Sequence, residues 1–265
     1  MVRDPRKTRK KTKSSYEIAI PSYKRPETLR EKTLRVLKEY KIPSDKITVF
    51  VADKEQEKIY KDTLTPGTYG KIVVGIQGMG AIRNFITSYY SIGTKIVNID
   101  DDIKGFLEYD ETKPRKERPL KSLISVIEKG FSECDKIGSK LWGVYPVANG
   151  FFMKPKVSSD LRYIIGSFWG CINPGLKEVT ITLDDKEDYQ RSIIYYKKYG
   201  SVIRLNMVAP ISSYYKEPGG MQEERTKERV EKSARWLVKE YPEFAVLNPS
   251  KKSGYMEVKL KDRRT

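Results

Sequence analysis

Lys95-Ile96-Val97-Asn98-Ile99-Asp100-Asp101-Asp102 decides how this chain is read. The apolar run has the length of a buried strand. It closes on consecutive carboxylates, which repel one another unless positive charge sits among them. A hard divalent cation meets that need. Mg2+ or Mn2+ takes oxygen ligands and is readily shared between protein carboxylates and a phosphate substrate. The plainer reading is a solvated acidic turn.

Upstream, Glu17–Ile20 reads as a strand stopped by Pro21, with Ile47–Val51 and Lys71–Val74 as the next two strands. Helical spacing marks Glu27–Tyr40, where Leu29, Thr33, Val36, Leu37 and Tyr40 share a face, and a second helix spans about Ala81–Tyr90. Strands alternating with helices predict an α/β fold with a mainly parallel sheet and right-handed crossovers. Such sheets bind ligands at the carboxyl ends of their strands. Pro21–Arg25, Asp53, Gln77–Asn84 and Asp100–Asp102 all fall at those ends.

Downstream, the pattern predicts helices over Leu120–Cys134, Lys186–Tyr199 and Gln222–Tyr241, and strands over Leu141–Tyr145, Tyr163–Cys171, Val179–Leu183 and Val202–Val208. The organisation read from this is a basic arm (1–15), a single domain (16–248) and a basic tail (249–265), with a basic, proline-punctuated loop at 111–121.

The chain carries 52 Lys and Arg against 35 Asp and Glu, a net charge of +17 that favours a polyanionic partner. Nucleic acid is the first candidate and an anionic membrane surface the second; a lysine-rich or thermophilic composition gives the same bias. Histidine is absent, which removes Ser-His-Asp and Cys-His chemistry and imidazole metal ligands. Acid–base work then falls to carboxylates, Tyr, Lys or Cys. Cys134 and Cys171 read as reduced core thiols. No apolar stretch has the length of a leader or a membrane span, so the expectation is a soluble intracellular protein, cytoplasmic or nuclear, with no transmembrane association.

Five segments, taken in order, resemble a known family. Pro21-Ser22-Tyr23-Lys24-Arg25, Asp53, Gly80-Ala81-Ile82-Arg83-Asn84, Asp100-Asp101-Asp102 and Glu187-Asp188-Tyr189-Gln190-Arg191 look like the motifs of family 2-like GT-A glycosyltransferases. Within that group the chain is most similar to the TET/JBP-associated glycosyltransferases of phages and eukaryotes. The resemblance implies a GT-A, Rossmann-like domain using Mn2+ or Mg2+ and a UDP-sugar. It implies transfer of a hexose, glucose by expectation and with inversion, to the hydroxymethyl group of a modified pyrimidine in DNA.

Carried over by position, Pro21, Tyr23, Arg25, Asp53, Gly80, Arg83, Asn84, Asp100 and Asp101 would contact the nucleotide sugar, with Asp100 and Asp102 on the metal. Asp53 reads equally as a helix N-cap. Asp188 is the candidate general base and Glu187 its competitor, with Asp184 and Asp185 close by; a carboxylate at a helix start is also simply favoured by the dipole. Trp169 is either a stacking platform or a core tryptophan. Arg225, with Lys216 and Gln222 around Pro218-Gly219-Gly220, reads as a lid over the diphosphate or as a plain loop. Many relatives complete the metal shell with a late histidine; here Asn206 or water would stand in. Two alternatives stay open: a GT-A enzyme acting on a saccharide, lipid-linked or protein acceptor, and a non-catalytic nucleic-acid-binding protein.

Overall fold

The computed structural model describes residues 15–212, 225–248 and 255–261. Residues 1–14 of the arm, Lys216, the 218–222 loop, and residues 249–254 and 262–265 of the tail lie outside the described residues.

The chain runs β1 (Glu17–Pro21), a helical stretch of α1 (Pro26–Leu29), a π turn (Arg30–Leu34) and α2 (Arg35–Glu39), then β2 (Ile47–Val51), α3 (Lys54–Thr63), β3 (Lys71–Val74), α4 (Met79–Tyr89) and β4 (Lys95–Ile99). There follow β5 (Ile103–Tyr109), β6 (Glu117–Pro119), α5 (Leu123–Ile137), β7 (Leu141–Val144), β8 (Val157–Ser158), β9 (Phe168–Ile172) and α6 (Glu187–Tyr199). The last elements are β10 (Ile203–Leu205), β11 (Val208–Ser212), α7 (Lys227–Glu240), β12 (Ala245–Asn248) and β13 (Glu257–Leu260).

The main sheet has the order β3-β2-β1-β4-β9-β7-β10-β8. Its first half, β3 to β4, is parallel throughout. β9 then runs antiparallel to both β4 and β7, while β7 and β10 are parallel again. The result is a mixed α/β domain with helices on both faces. Alternation along the strands sorts the two faces. Ile18, Ile20, Val49, Val97 and Ile99 pack with Leu29, Leu37, Tyr60 and Phe131 from the first helices and α5. Ala19, Phe50, Ile96 and Trp169 pack with Ile82, Ile86 and Tyr195 from α4 and α6. A smaller cluster joins Ile193 of α6 to α7, β12 and β13 through Ala234, Leu237, Val258 and Leu260. Strands covered on both faces are continuously apolar, which is why β2 reads Ile-Thr-Val-Phe-Val.

Four expectations change. Val179–Leu183 is not a strand. Val179 and Ile181 do alternate inward as strand residues would, but the backbone of 181–183 bonds to side chains of α4 and α6 instead of a sheet neighbour. The strand expected over Tyr163–Cys171 begins at Phe168. The run Val202–Val208 is two strands in two sheets, with β11 leaving to pair antiparallel with β5. Asn206 is buried at that corner, where its amide donates to Lys156 O and Ser158 Oγ and accepts from Arg204 Nε. It is therefore committed to the turn and stands in for no metal ligand. Finally, Glu257–Leu260 of the expected tail forms β13, paired antiparallel with β12. Among the described residues no helix is long and apolar enough to cross a membrane, and Cys134 and Cys171 are buried free thiols.

Candidate active site

β1 leads through its crossover to β2 on one side, and its other neighbour is β4. The sheet order reverses between β1 and β4, and a crevice opens there outside the carboxyl ends. A cavity of about 270 Å3 occupies it, lined by residues that follow β1, β2 and β4, by the start of α4, and by the 184–188 turn.

One wall grows from the strand ends. After β4 the three aspartates diverge. Asp100 accepts from Arg83 Nη2 at 2.9 Å and keeps an exposed edge toward the cavity. Asp101 turns toward β1, accepting from Ser22 Oγ at 2.6 Å and pairing with Arg25 Nη1 at 3.4 Å. Burial pushes its carboxyl up to about 6, against the pull of Arg25 and Ser22. Tyr60 Oη lies 2.6 Å from Ser22 Oγ and accepts from the Arg25 backbone N–H. Asp102 lines the cavity beside them. The turn itself is pinned from below. Thr33, in the π turn, donates to Asp100 O at 2.6 Å and accepts from Ile103 N at 3.0 Å.

The facing wall is a loop held by side chains. Asn84 of α4 bonds both the C=O and the N–H of Ile181, at 2.7 and 2.8 Å. Gln190 of α6 accepts from the N–H groups of Thr182 and Leu183. Asp184 accepts from Gly80 N, capping α4 from across the cleft. A Cβ on Gly80 would lie 2.6 Å from Leu183 O, so glycine is required for this approach. Asp185 is buried and pairs with Arg225 and Arg229 at 3.0 and 2.7 Å. Lys186, in the left-handed region, reaches Glu257 of β13 at 2.6 Å. Asp188 opens α6 into the cavity, its Oδ2 accepting from Tyr163 Oη at 2.5 Å.

Between the walls runs a buried chain of alternating charge: Asp100, Arg83, Glu187, Arg191. Arg83 is 3% exposed and also donates to Gly166 O. Burial works against its charge, but Glu187 and Asp100 outweigh that and hold the guanidinium above its ordinary value. Burial likewise raises the Glu187 carboxyl although Arg191 and Arg83 pull it down. Trp169 lies behind this chain at 4% exposure, with the Arg191 guanidinium 3.9 Å from its ring centre.

The structure thus brings Pro21, Tyr23, Arg25, Arg83, Asp100, Asp101, Asp102, Glu187, Asp188 and Arg225 to one cavity. Four expected contact residues are elsewhere. Asp53 is exposed and serves as the α3 N-cap, accepting from Gln56 N at 2.8 Å. Gly80 and Asn84 dock the 181–184 loop. Trp169 is a core residue that backs the arginines. Glu187 is occupied by two arginines, and Asp184 and Asp185 by caps and ion pairs, which leaves Asp188 as the carboxylate of this group facing the cavity without an arginine partner among the contacts above. Tyr60, Thr33, Tyr163 and Arg229 have places in the site that no sequence pattern assigns to them, and Ser22, within the first motif, proves to bond Asp101. Among the described residues no group of three or more Cys, Asp or Glu side chains is placed to hold a metal ion. Asp100 and Asp102 could contribute two carboxylates, which suits an ion whose remaining ligands are water and phosphate.

No family model matches the chain, and no curated protein matches it. Among solved structures it is similar to one described as "Crystal Structure of a Mycobacterial Protein", at 8% identity and a TM-score of 0.48, over 94% of this chain and 85% of that one. A likeness of that degree carries no argument about function.

Proposed function

We propose that this chain is a GT-A glycosyltransferase that moves a hexose from a UDP-sugar to the hydroxymethyl group of a modified pyrimidine in DNA. The observation that carries the reading is the convergence of Asp100, Asp102 and Asp188 on one cavity at the switch point of the sheet. Six carboxylates and five cations line it. A diphosphate therefore meets a wall with no positive excess, in a chain whose net charge is +17. Added positive charge is needed at the site, and Asp100 and Asp102 are the residues that would hold it as Mn2+ or Mg2+. When bound, such an ion neutralises the departing diphosphate as a Lewis acid.

The chain's own groups supply the rest. Tyr23, Phe50, Ile76 and Met79 make an apolar side to the cavity that suits a flat nucleobase. Tyr163 orients Asp188 by its hydrogen bond. Asp188 takes the proton of the acceptor alcohol as its oxygen bonds to the anomeric carbon and the carbon–oxygen bond to the diphosphate breaks. Arg225 and Arg229 line the cavity from the α7 side and answer the loop's carboxylates. The positive excess lies outside the cavity, where it favours a polyanionic acceptor.

The test is to incubate the full chain and Mn2+ with a panel of UDP-sugars and with hydroxymethylated DNA, plain DNA, saccharides and proteins, then read product masses. Sugar on hydroxymethylated DNA alone is expected. Transfer confined to saccharide or protein acceptors would overturn the DNA acceptor, and no turnover of any UDP-sugar would overturn the enzyme.

A further inference from the structure

Phe151 and Phe152 are each 58% exposed, side by side on the loop between β7 and β8. Exposed neighbouring phenyl rings are costly in water and call for a reason. The loop that carries them is not loose. Asn149 Oδ1 and Asn149 O accept from the N–H groups of Phe151 and Phe152. Met153 is fully buried beneath them. Gly150 donates to Glu117 Oε2 at 2.6 Å and packs so closely on the 115–116 backbone that a Cβ would lie 2.3 Å from Arg115 O. The backbone next to the rings is thus held against the basic turn between β5 and β6. Lys113, Lys116, Lys154 and Lys156 belong to the two loops that meet here, and among the described residues no carboxylate lies within ion-pair distance of Lys116, Lys154 or Lys156. Arg115 is 74% exposed while paired with Glu117.

We infer that this surface binds single-stranded nucleic acid, the two phenyl rings stacking on unpaired bases and the lysines holding the flanking phosphates. Aromatic rings fixed within a basic rim are the features of sequence-tolerant single-strand binding. β5 connects the surface to the acidic cavity: its first residue follows Asp102 and its last precedes the basic turn, a span of about 20 Å for a seven-residue strand. A DNA strand opened for reaction at the cavity would find its unpaired bases supported here. The inference shares with the proposed function the choice of DNA as partner.

Fluorescence anisotropy of a labelled single-stranded oligodeoxynucleotide tests it on the full chain, with phosphatidylserine vesicles, light scattering and UDP-sugar turnover measured in parallel. F151A/F152A is expected to weaken oligonucleotide binding by about tenfold or more. K154A/K156A is expected to lower the slope of log affinity against log salt by roughly 0.7 for each phosphate no longer neutralised. Unchanged affinity in F151A/F152A would overturn the surface. So would loss of vesicle binding or of self-association in that variant with oligonucleotide binding intact, since either would assign the rings to a membrane or to a second copy. If F151A/F152A loses oligonucleotide binding while the unaltered chain turns over no UDP-sugar, the surface stands and the proposed transfer falls. Turnover with affinity unchanged in the variant sinks the surface alone.

Discussion

The wall of the cavity that follows β1 and β4 and the wall that precedes α6 both present carboxylates, but they are held in different ways. The first stands on strand ends. Its residues leave adjacent parallel strands, so their placement is inherited from the sheet register; Ser22 and Thr33 add short hydrogen bonds to the acidic turn, and Tyr60 bonds Ser22 in turn. The second has no strand beneath it. Asn84 and Gln190 satisfy its backbone, and Arg225, Arg229 and Glu257 hold it from the C-terminal part of the chain. Preorganisation of the first wall is a property of the fold. That of the second depends on a few amide and guanidinium groups, most of them far away in sequence.

That contrast can be broken at several points. The largest effect is expected from Asp188→Asn, which removes the proposed general base: kcat should fall by about 10²–10⁴-fold with the unfolding midpoint unchanged. Activity kept in this variant would remove Asp188 from the chemistry. Arg83→Met joins both walls in one test. It takes from Asp100 its arginine partner and leaves Glu187 with Arg191 alone, and a broken buried pair costs about 3–5 kcal/mol, readable by urea unfolding. Asn84→Ala should separate stability from activity. Loss of its paired bonds to Ile181 costs on the order of 1–2 kcal/mol, whereas a displaced 181–188 loop lowers kcat by about 10²-fold, the cost of a small misplacement of catalytic groups. Equal, small effects on both quantities would show that the second wall needs no such clamp.

Asp53→Ala sits at the lower end. As an N-cap it should cost about 1 kcal/mol of stability and leave the KM for the nucleotide sugar unchanged; a raised KM with intact stability would return Asp53 to the nucleotide. The smallest effect belongs to the two core cysteines, one on each face of the sheet. Burial pushes the Cys134 and Cys171 thiols up to about 12. At pH 8 both stay protonated, so a thiol-specific disulfide reagent should label neither in the folded chain and both after unfolding.

The same contrast explains how much of the molecule is legible in its sequence. β2 lies within its expected bounds because a covered parallel strand leaves an uninterrupted apolar run, and the half-buried edge strand β3 keeps a short β-branched run. Asp100–Asp102 and Pro21–Arg25 can be placed because a strand end is a local signal. The second wall is not legible in the same way. Val179–Leu183 has the inward alternation of a strand, yet its backbone partners are side-chain amides, Gln190 on the next helix and Asn84 far back in the chain, which no local period encodes. Gly80 and Asn84 belong to a segment that reads as nucleotide-binding, and they instead dock the loop that leads to Asp188. Trp169 is flanked by glycines as a loop would be, and its burial is set by the antiparallel pairing of β9 with β4 and β7. The pairing of β13 with β12 leaves little trace, because Glu257–Leu260 is short, half charged and embedded in a basic stretch.

The π turn at Arg30–Leu34 bears on tolerance to length change. A wider turn accommodates a surplus residue within an otherwise regular helix. Excising one residue there would let the spiral close up and swing every side chain upstream or downstream by about a hundred degrees, at 3.6 residues per revolution. Thr33 would then face a different neighbour, and the acidic turn far along the chain at Asp100 would lose its peg. A helix that contributes no residue to the cavity thereby sets the pitch at which the carboxylates are presented.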